Sequence, residues 1–269
     1  MLTPKIIYGT AWKKEQTAAL VIKAVKNGFR AIDTACQPKH YNEPGVGQAL
    51  KELEKSGITR DKLFLQTKFT DVIGQDPNSI PYDSRATLTE QVQQSFAISK
   101  QNLNTDYIDS LVLHSPLQTQ AKTMEAWTAM EKIYHEGEVN QLGISNCYDL
   151  NELKQLCKEA DIKPTIVQNR FYHETNFDKE LRVFCHENNI IYQSFWTLTA
   201  NPALLNSEVI SQISDDINKT VAQVLFRYLS LVGVVPLTGT KDEKHMLEDL
   251  AIFDFTLTQN DLNKISNLL

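Results

Sequence analysis

From one end to the other, the sequence alternates between short apolar runs rich in β-branched residues and longer stretches with helical hydrophobic spacing. The short runs fall at residues 6–10, 31–35, 63–69, 108–114, 141–145, 165–169, 190–195 and 233–237. The longer stretches occupy 16–26, 45–55, 87–103, 119–135, 150–159, 178–187, 220–231 and 242–250. In the first of these, Ala19, Leu20, Ile22 and Val25 separate from Lys23 and Lys26 at the spacing of a helix. Strands that alternate with helices along a chain form a parallel sheet with the helices packed outside it. Eight such units in 269 residues predict an α/β fold, a single (β/α)8 TIM barrel, as one domain over residues 1–269. The rival is an open doubly wound sheet, which usually carries a glycine-rich phosphate loop after its first strand. Here Tyr8-Gly9-Thr10-Ala11-Trp12 has one glycine among bulky neighbours, so that fingerprint is missing.

Local punctuation agrees. Asp149 and Asn176 are placed to cap helix starts, and Gly28, Gly57 and Gly137 follow helix ends, where glycine tolerates a left-handed backbone. A long loop at 70–86, rich in Gly, Pro, Asp, Asn and Ser, leaves the C-terminal end of the third strand. Barrels gather their active sites at that end. One more amphipathic segment lies within 255–269.

Charge and cysteine usage narrow the functional classes. The net charge is −6 with no basic block, which argues against a nucleic-acid partner but allows a local basic pocket for a phosphate-bearing ligand. No run of eighteen apolar residues is present, so no membrane span is expected. Cys36, Cys147, Cys157 and Cys185 form no CxxC or zinc pattern. The opening residues Met1-Leu2-Thr3-Pro4-Lys5 do not read as a signal peptide. Together these predict a reduced cytoplasmic protein, with no signal for any oligomeric state.

The chemistry is expected where strand ends converge. Asp33 ends the second strand, Lys68 the third and His114 the fourth, and Tyr41 follows the second strand. A lysine within Leu-Phe-Leu-Gln-Thr-Lys-Phe needs a counter-charge, and Asp33 on the neighbouring strand can supply it. Taken alone, the pair also reads as a structural ion pair, His114 as an ordinary hydrogen-bonded histidine and Tyr41 as a packing tyrosine. Taken together they read as a proton-donating site. A lysine cation lowers the pKa of a nearby phenol, the phenol protonates a carbonyl oxygen as hydride reaches the carbon, and a histidine orients the carbonyl.

These residues carry a family resemblance. Gly28-Phe-Arg-Ala-Ile-Asp-Thr-Ala, then Tyr41-Asn-Glu and Val46-Gly47, resembles the first signature of the aldo-keto reductases. Gln66-Thr67-Lys68, Leu113-His114-Ser115-Pro116, Gly143-Ile-Ser-Asn146, Val167-Gln168-Asn169 and Thr220-Val-Ala-Gln-Val continue it in order from residue 9 onward. The resemblance implies a barrel that reduces aldehyde or ketone carbonyls with a nicotinamide cofactor, and Asp33, Tyr41, Lys68 and His114 as its catalytic tetrad. It implies that Ser145, Asn146 and Gln168 hold the nicotinamide carboxamide, that Phe195 stacks on the ring, that Thr10 lies at the cofactor and that Trp12 and Trp196 face a small-molecule carbonyl substrate. NADPH is the implied cofactor, with NADH possible, its extra phosphate meeting Thr238, Gly239, Thr240, Lys241 and Lys244. No metal is implied.

The sequence departs from the family pattern at four points. The spacing from Asp33 to Tyr41 is long, and counting back from Asn42 puts His40 in the tyrosine slot. Tyr41 is favoured because a phenol is the group that the lysine activates. The N-terminal hairpin and the long C-terminal loop of many relatives are not evident, which predicts an open, permissive pocket. Leu237 stands where a basic residue usually follows the proline of strand eight. Two other readings compete. One is a non-catalytic barrel that binds the cofactor as a redox-sensing regulatory subunit. The other is a metal-dependent hydrolase using His114, Asp33 and Glu43, for which no second histidine is suitably placed.

Overall fold

The computed structural model describes residues 4–269. Its strands are β1 (Ile7–Gly9), β2 (Ala31–Asp33), β3 (Phe64–Phe69), β4 (Ile108–Leu113), β5 (Val139–Ser145), β6 (Ile166–Arg170), β7 (Ile191–Phe195) and β8 (Val234–Thr238). Each pairs in parallel with the next, and β8 returns to β1 through Ile7 opposite Leu237 and Tyr8 opposite Thr238. The sheet is a closed eight-stranded barrel, as the alternation predicts.

The helices are α1 (Thr17–Asn27), α2 (Glu43–Lys55), α3 (Leu88–Leu103), α4 (Gln120–His135), α5 (Leu150–Glu159), α6 (Lys179–Glu187), α7 (Pro202–Leu205), α8 (Glu208–Ile217), α9 (Val221–Leu231), α10 (Glu243–Leu250) and α11 (Gln259–Ser266). None among the described residues is long and apolar enough to cross a membrane. Most begin at a side-chain cap: Thr87 and Glu90 form a reciprocal box at α3, and Asp149 accepts from the Asn151 amide at 2.7 Å at α5. Gly28, Gly57 and Gly137 have positive φ at the ends of their helices. Asn176 does not cap α6. It lies in a left-handed run with Phe177 and Asp178, and the helix starts after Asp178 with no side-chain cap. Asparagine tolerates that backbone for the same local hydrogen-bonding reasons that make it a good cap, so the residue type alone does not separate the two uses.

Three helices differ from the sequence reading, among them the short α7, which lies between β7 and α8. Helix α2 begins at Glu43 rather than residue 45, because Asn42 accepts from the Gly45 amide at 2.9 Å and Pro44 sits in the first turn. A whole extra helix, α8, fills part of the stretch after β7, with Ser207 capping it and Ile210 and Ile213 buried. Gly47 allows α2 to pass α3 closely: a β-carbon there would lie 2.0 Å from the Asn102 carbonyl oxygen. No larger residue fits without separating the two helices.

Side-chain direction alternates along each strand, and the two faces differ in kind. One set points outward into the core shared with the helices, including Tyr8, Ile32, Leu65, Leu111 and Val167. The inward set starts apolar, with Ile7, Ala31, Phe64, Ile166 and Leu237 packed together. One inward step toward the mouth, β2, β3, β6 and β7 place Asp33, Gln66, Gln168 and Gln193, all buried. A polar layer in a barrel interior normally filled by branched apolar residues marks the floor of the site.

Candidate active site

Asp33 is the hub of that layer. Its Oδ2 lies 2.6 Å from Lys68 Nζ, and its Oδ1 accepts from Lys68 Nζ at 2.7 Å, Gln66 Nε2 at 2.8 Å and Gln168 Nε2 at 2.9 Å. Lys68 also donates to the Thr34 carbonyl at 2.8 Å. Gln66 and Gln168 both donate to Gln193 Oε1, at 2.8 and 2.9 Å. The interior charge pair is therefore paired and hydrogen-bonded on every side, the condition under which a buried ion pair is tolerated. Burial pulls the Lys68 ammonium below its ordinary range, and Asp33 opposes that pull.

Tyr41 and His40 separate clearly. Lys68 Nζ lies over the Tyr41 ring, 5.2 Å from its centroid, and the His114 ring meets Tyr41 edge-on at 6.0 Å. The His40 ring instead stacks on Trp12 at 4.0 Å, with Nδ1 2.9 Å from Gln37 Oε1. The loop after β2 thus brings the phenol, not the imidazole, to the lysine.

One electrostatic expectation is reversed. The Tyr41 phenol is raised above its ordinary value, by burial first and the Asp33 carboxylate second. The lysine charge is spent on Asp33, so little remains to stabilise a phenolate. Tyr41 holds its proton at neutral pH. His114 is pushed well below its usual value by burial, then by Lys68 and His40, so its imidazole is neutral. Its Nδ1 lies 2.6 Å from Thr70 Oγ1, which fixes the ring.

These groups open onto a cleft of about 760 Å³ lined by Trp12, Tyr41, His114, Ser145, Asn146, Gln168, Phe195, Trp196, Leu237 and the turn from Thr238 to Thr240. Ser145 Oγ donates to the Gln168 carbonyl at 2.6 Å, and Asn146, in a left-handed backbone, donates to the His114 carbonyl at 2.8 Å. Thr10 is buried and donates to the Asp33 carbonyl at 2.9 Å. Trp12 and Trp196 are half exposed, both at positive φ.

The far end of the cleft differs from the sequence reading. Thr238 Oγ1 donates to Asp249 at 2.6 Å. The amides of Lys244 and His245, in the first turn of α10, are taken by the Asp242 side chain at 2.8 and 3.2 Å. That helix start is therefore already capped by a carboxylate. Lys244 lies 3.7 Å from Glu248, and Lys241 is exposed ahead of the helix. A cation that the sequence reading passed over sits here instead. Lys13 is 2% exposed, donates to the Gly239 carbonyl at 2.7 Å and lies over the Tyr8 ring. It has no carboxylate partner among the described residues. Burial and Lys241 lower it to about 8. Its position directly after Trp12 was the available signal. Gln66, Gln193 and Thr70 were also missed, although two glutamines at inward strand positions stand out once strand parity is known.

A family model, the aldo/keto reductase family, matches residues 5–269. The chain belongs to the aldo/keto reductase family. A glyoxal reductase of Bacillus subtilis (strain 168) is 36% identical over 245 residues, 91% of this chain and 80% of that one. A methylglyoxal reductase of Salmonella typhimurium is 28% identical over 96% of this chain and 86% of that one. A solved aldo/keto reductase structure from Brucella melitensis superposes with a TM-score of 0.84 at 30% identity, covering 99% of this chain and 95% of that one. This aldo-keto reductase is an NAD(P)H-dependent carbonyl reductase.

The donor set of the cleft fits a nicotinamide dinucleotide. Ser145, Asn146 and Gln168 offer amide-complementary groups beside Tyr41, and Phe195 offers a flat apolar face. At the other end Lys13 brings a positive charge behind the cleft-lining Gly239, bonded to its carbonyl. The hydrolase reading lacks a donor set: among the described residues no three His, Cys, Asp or Glu side chains gather as metal ligands.

Proposed function

We propose that the protein reduces small reactive aldehydes and ketones of the glyoxal and methylglyoxal type, with Tyr41 as proton donor, His114 as carbonyl-orienting group and Lys68 and Asp33 as the pair that positions the donor. The observation that carries this is the meeting of the Tyr41 ring with Lys68 and His114 at one end of the cleft. The bound cofactor supplies hydride to the carbonyl carbon. As negative charge builds on the carbonyl oxygen, the oxygen becomes an alkoxide, the conjugate base of an alcohol whose pKa is close to that of water, about 15.7. Transfer of the Tyr41 proton to it is favourable even from a phenol of raised pKa. The neutral imidazole of His114 adds a hydrogen bond without competing as an acid. Ser145, Asn146 and Gln168 hold the carboxamide, and Phe195 supports the ring. The test is loss of NADPH absorbance on adding methylglyoxal or glyoxal. No turnover of either dicarbonyl, nor of simple aldehydes, would refute the reading.

For the cofactor we infer a preference for NADPH over NADH, modest because Leu237 replaces a cation and Asp242 caps α10. Lys241, with Lys244 beside it, supports the extra phosphate, and Thr238, Gly239 and Thr240 border it. Lys13 supports the phosphates common to both cofactors. Replacing Lys241 and Lys244 together by Ala is expected to weaken NADPH binding several-fold, on the scale of one or two exposed charge contacts, and to leave NADH binding nearly as it was. Lys13→Met is expected to weaken both. Fluorescence titration with each cofactor checks this; equal losses in the double variant, or tighter NADH binding by the wild type, would contradict the assignment.

A further inference from the structure

Arg170 is a cation at the mouth of the barrel with no ion-pair partner among the described residues. It is the last residue of β6 and shares the inward direction of Ile166 and Gln168. It therefore stands one inward position above Gln168, on the side where the site opens. Its guanidinium carbon lies 4.3 Å from the centroid of the Tyr172 ring and 4.9 Å from that of Trp196. The guanidinium thus contacts two aromatic rings, and one of them, Trp196, lines the cleft. No ion pair reaches it among the described residues, and its Nε is buried with no hydrogen-bond partner.

The support beneath it is rigid and connects to the reacting end. The Arg170 amide donates to Tyr148 Oη at 3.1 Å, Tyr148 Oη donates to Asn146 Oδ1 at 3.1 Å, and Asn146 Nδ2 donates to the His114 carbonyl at 2.8 Å. Contact with aromatic rings uses none of the N–H donors of a guanidinium, and its edge matches a carboxylate through two parallel hydrogen bonds. Strands lie about 4.8 Å apart, and β4 and β6 flank β5. Arg170 lies two residues beyond the level of His114, so the two stand roughly 12 Å apart along the barrel wall, a distance that their side chains and a single substrate can span.

We propose that Arg170 forms an anion-binding subsite at the rim of the substrate cleft, so that among the aldehydes and ketones reduced, those carrying a carboxylate several atoms from the carbonyl are favoured. The proposal rests on the carbonyl-reductase reading and adds the class of substrate. The hydride and proton still go to the carbonyl; the carboxylate is bound and unchanged.

The test compares para-formylbenzoate with its methyl ester, and succinic semialdehyde with its methyl ester. Each pair differs by one charge at nearly constant shape. For the wild type, kcat/KM is expected to favour the acid on the order of 10- to 100-fold, the range of a hydrogen bond to a charged group. In Arg170→Leu the ratio is expected to fall to one or below. Arg170→Gln, which keeps a polar planar group, should lose the preference too, and provides the result if the leucine variant does not fold. A wild type that treats acid and ester alike, or a preference that persists in either folded variant, overturns the subsite. Turnover of the esters alone would show the reductase reading standing while the subsite falls. If neither acids nor esters are reduced while methylglyoxal is, the subsite is overturned and the reductase reading stands.

Discussion

Replacing Tyr41 by Phe is expected to lower kcat for carbonyl reduction by about 10²–10⁴, the usual contribution of a positioned general acid. The loss should fall on kcat rather than on cofactor affinity, because the phenol hydroxyl serves the carbonyl oxygen. The ring itself remains, so its contacts with Lys68 and His114 survive. His40→Ala is the matched control. His40 packs on Trp12 and bonds to Gln37, so its removal should act mildly, through the loop. Single-turnover kinetics on both variants decides the matter. If the His40 variant were inactive while the Tyr41 variant turned over normally, the proton donor would be misassigned.

The second large effect is on stability. Asp33→Ala removes the partner of Lys68 where both side chains are almost fully buried, and strands the amides of Gln66 and Gln168 that donate to the same carboxylate. Breaking a buried pair from one side costs about 3–5 kcal/mol. For a chain of this length that lowers Tm on the order of 10 °C. Asp33→Asn keeps an acceptor oxygen and should lose less. The alanine variant carries a pH signature. With Asp33 gone, Lys68 in the folded protein is held below its unfolded value of about 10.4. The unfolded state then binds more protons, so the variant gains stability as pH rises from its folded pKa toward that value. Thermal melts of both variants across pH test this. A loss under about 1 kcal/mol, or stability that falls with rising pH in the alanine variant, would mean that Lys68 is not an isolated buried cation there.

Periodicity carried most of the architecture. Eight apolar runs alternating with helical stretches leave a closed barrel or a doubly wound sheet, and the missing glycine-rich loop after the first strand favours the barrel. The proposed tetrad was also suggested by the sequence, since Asp33, Lys68 and His114 stand at strand ends where an apolar residue would pack better. Three-dimensional contact decided the rest. His40 and Tyr41 are adjacent in sequence, and only the path of the loop sends one to Trp12 and the other to Lys68. The direction of the Tyr41 shift follows first from its burial and then from the nearby Asp33 carboxylate, neither of which residue type encodes. Helix α8 escaped notice because a short amphipathic segment beside a longer one has little periodicity of its own, and is held by Ile210 and Ile213 in the core. Lys13 and Arg170 look like ordinary surface cations in the sequence. Each becomes an unpaired charge next to a cleft-lining residue because the fold buries one beside Gly239 and sets the other against Tyr172 and Trp196, with no carboxylate partner among the described residues for either. Local sequence reports what a residue can do, and long-range packing selects the partners with which it does it.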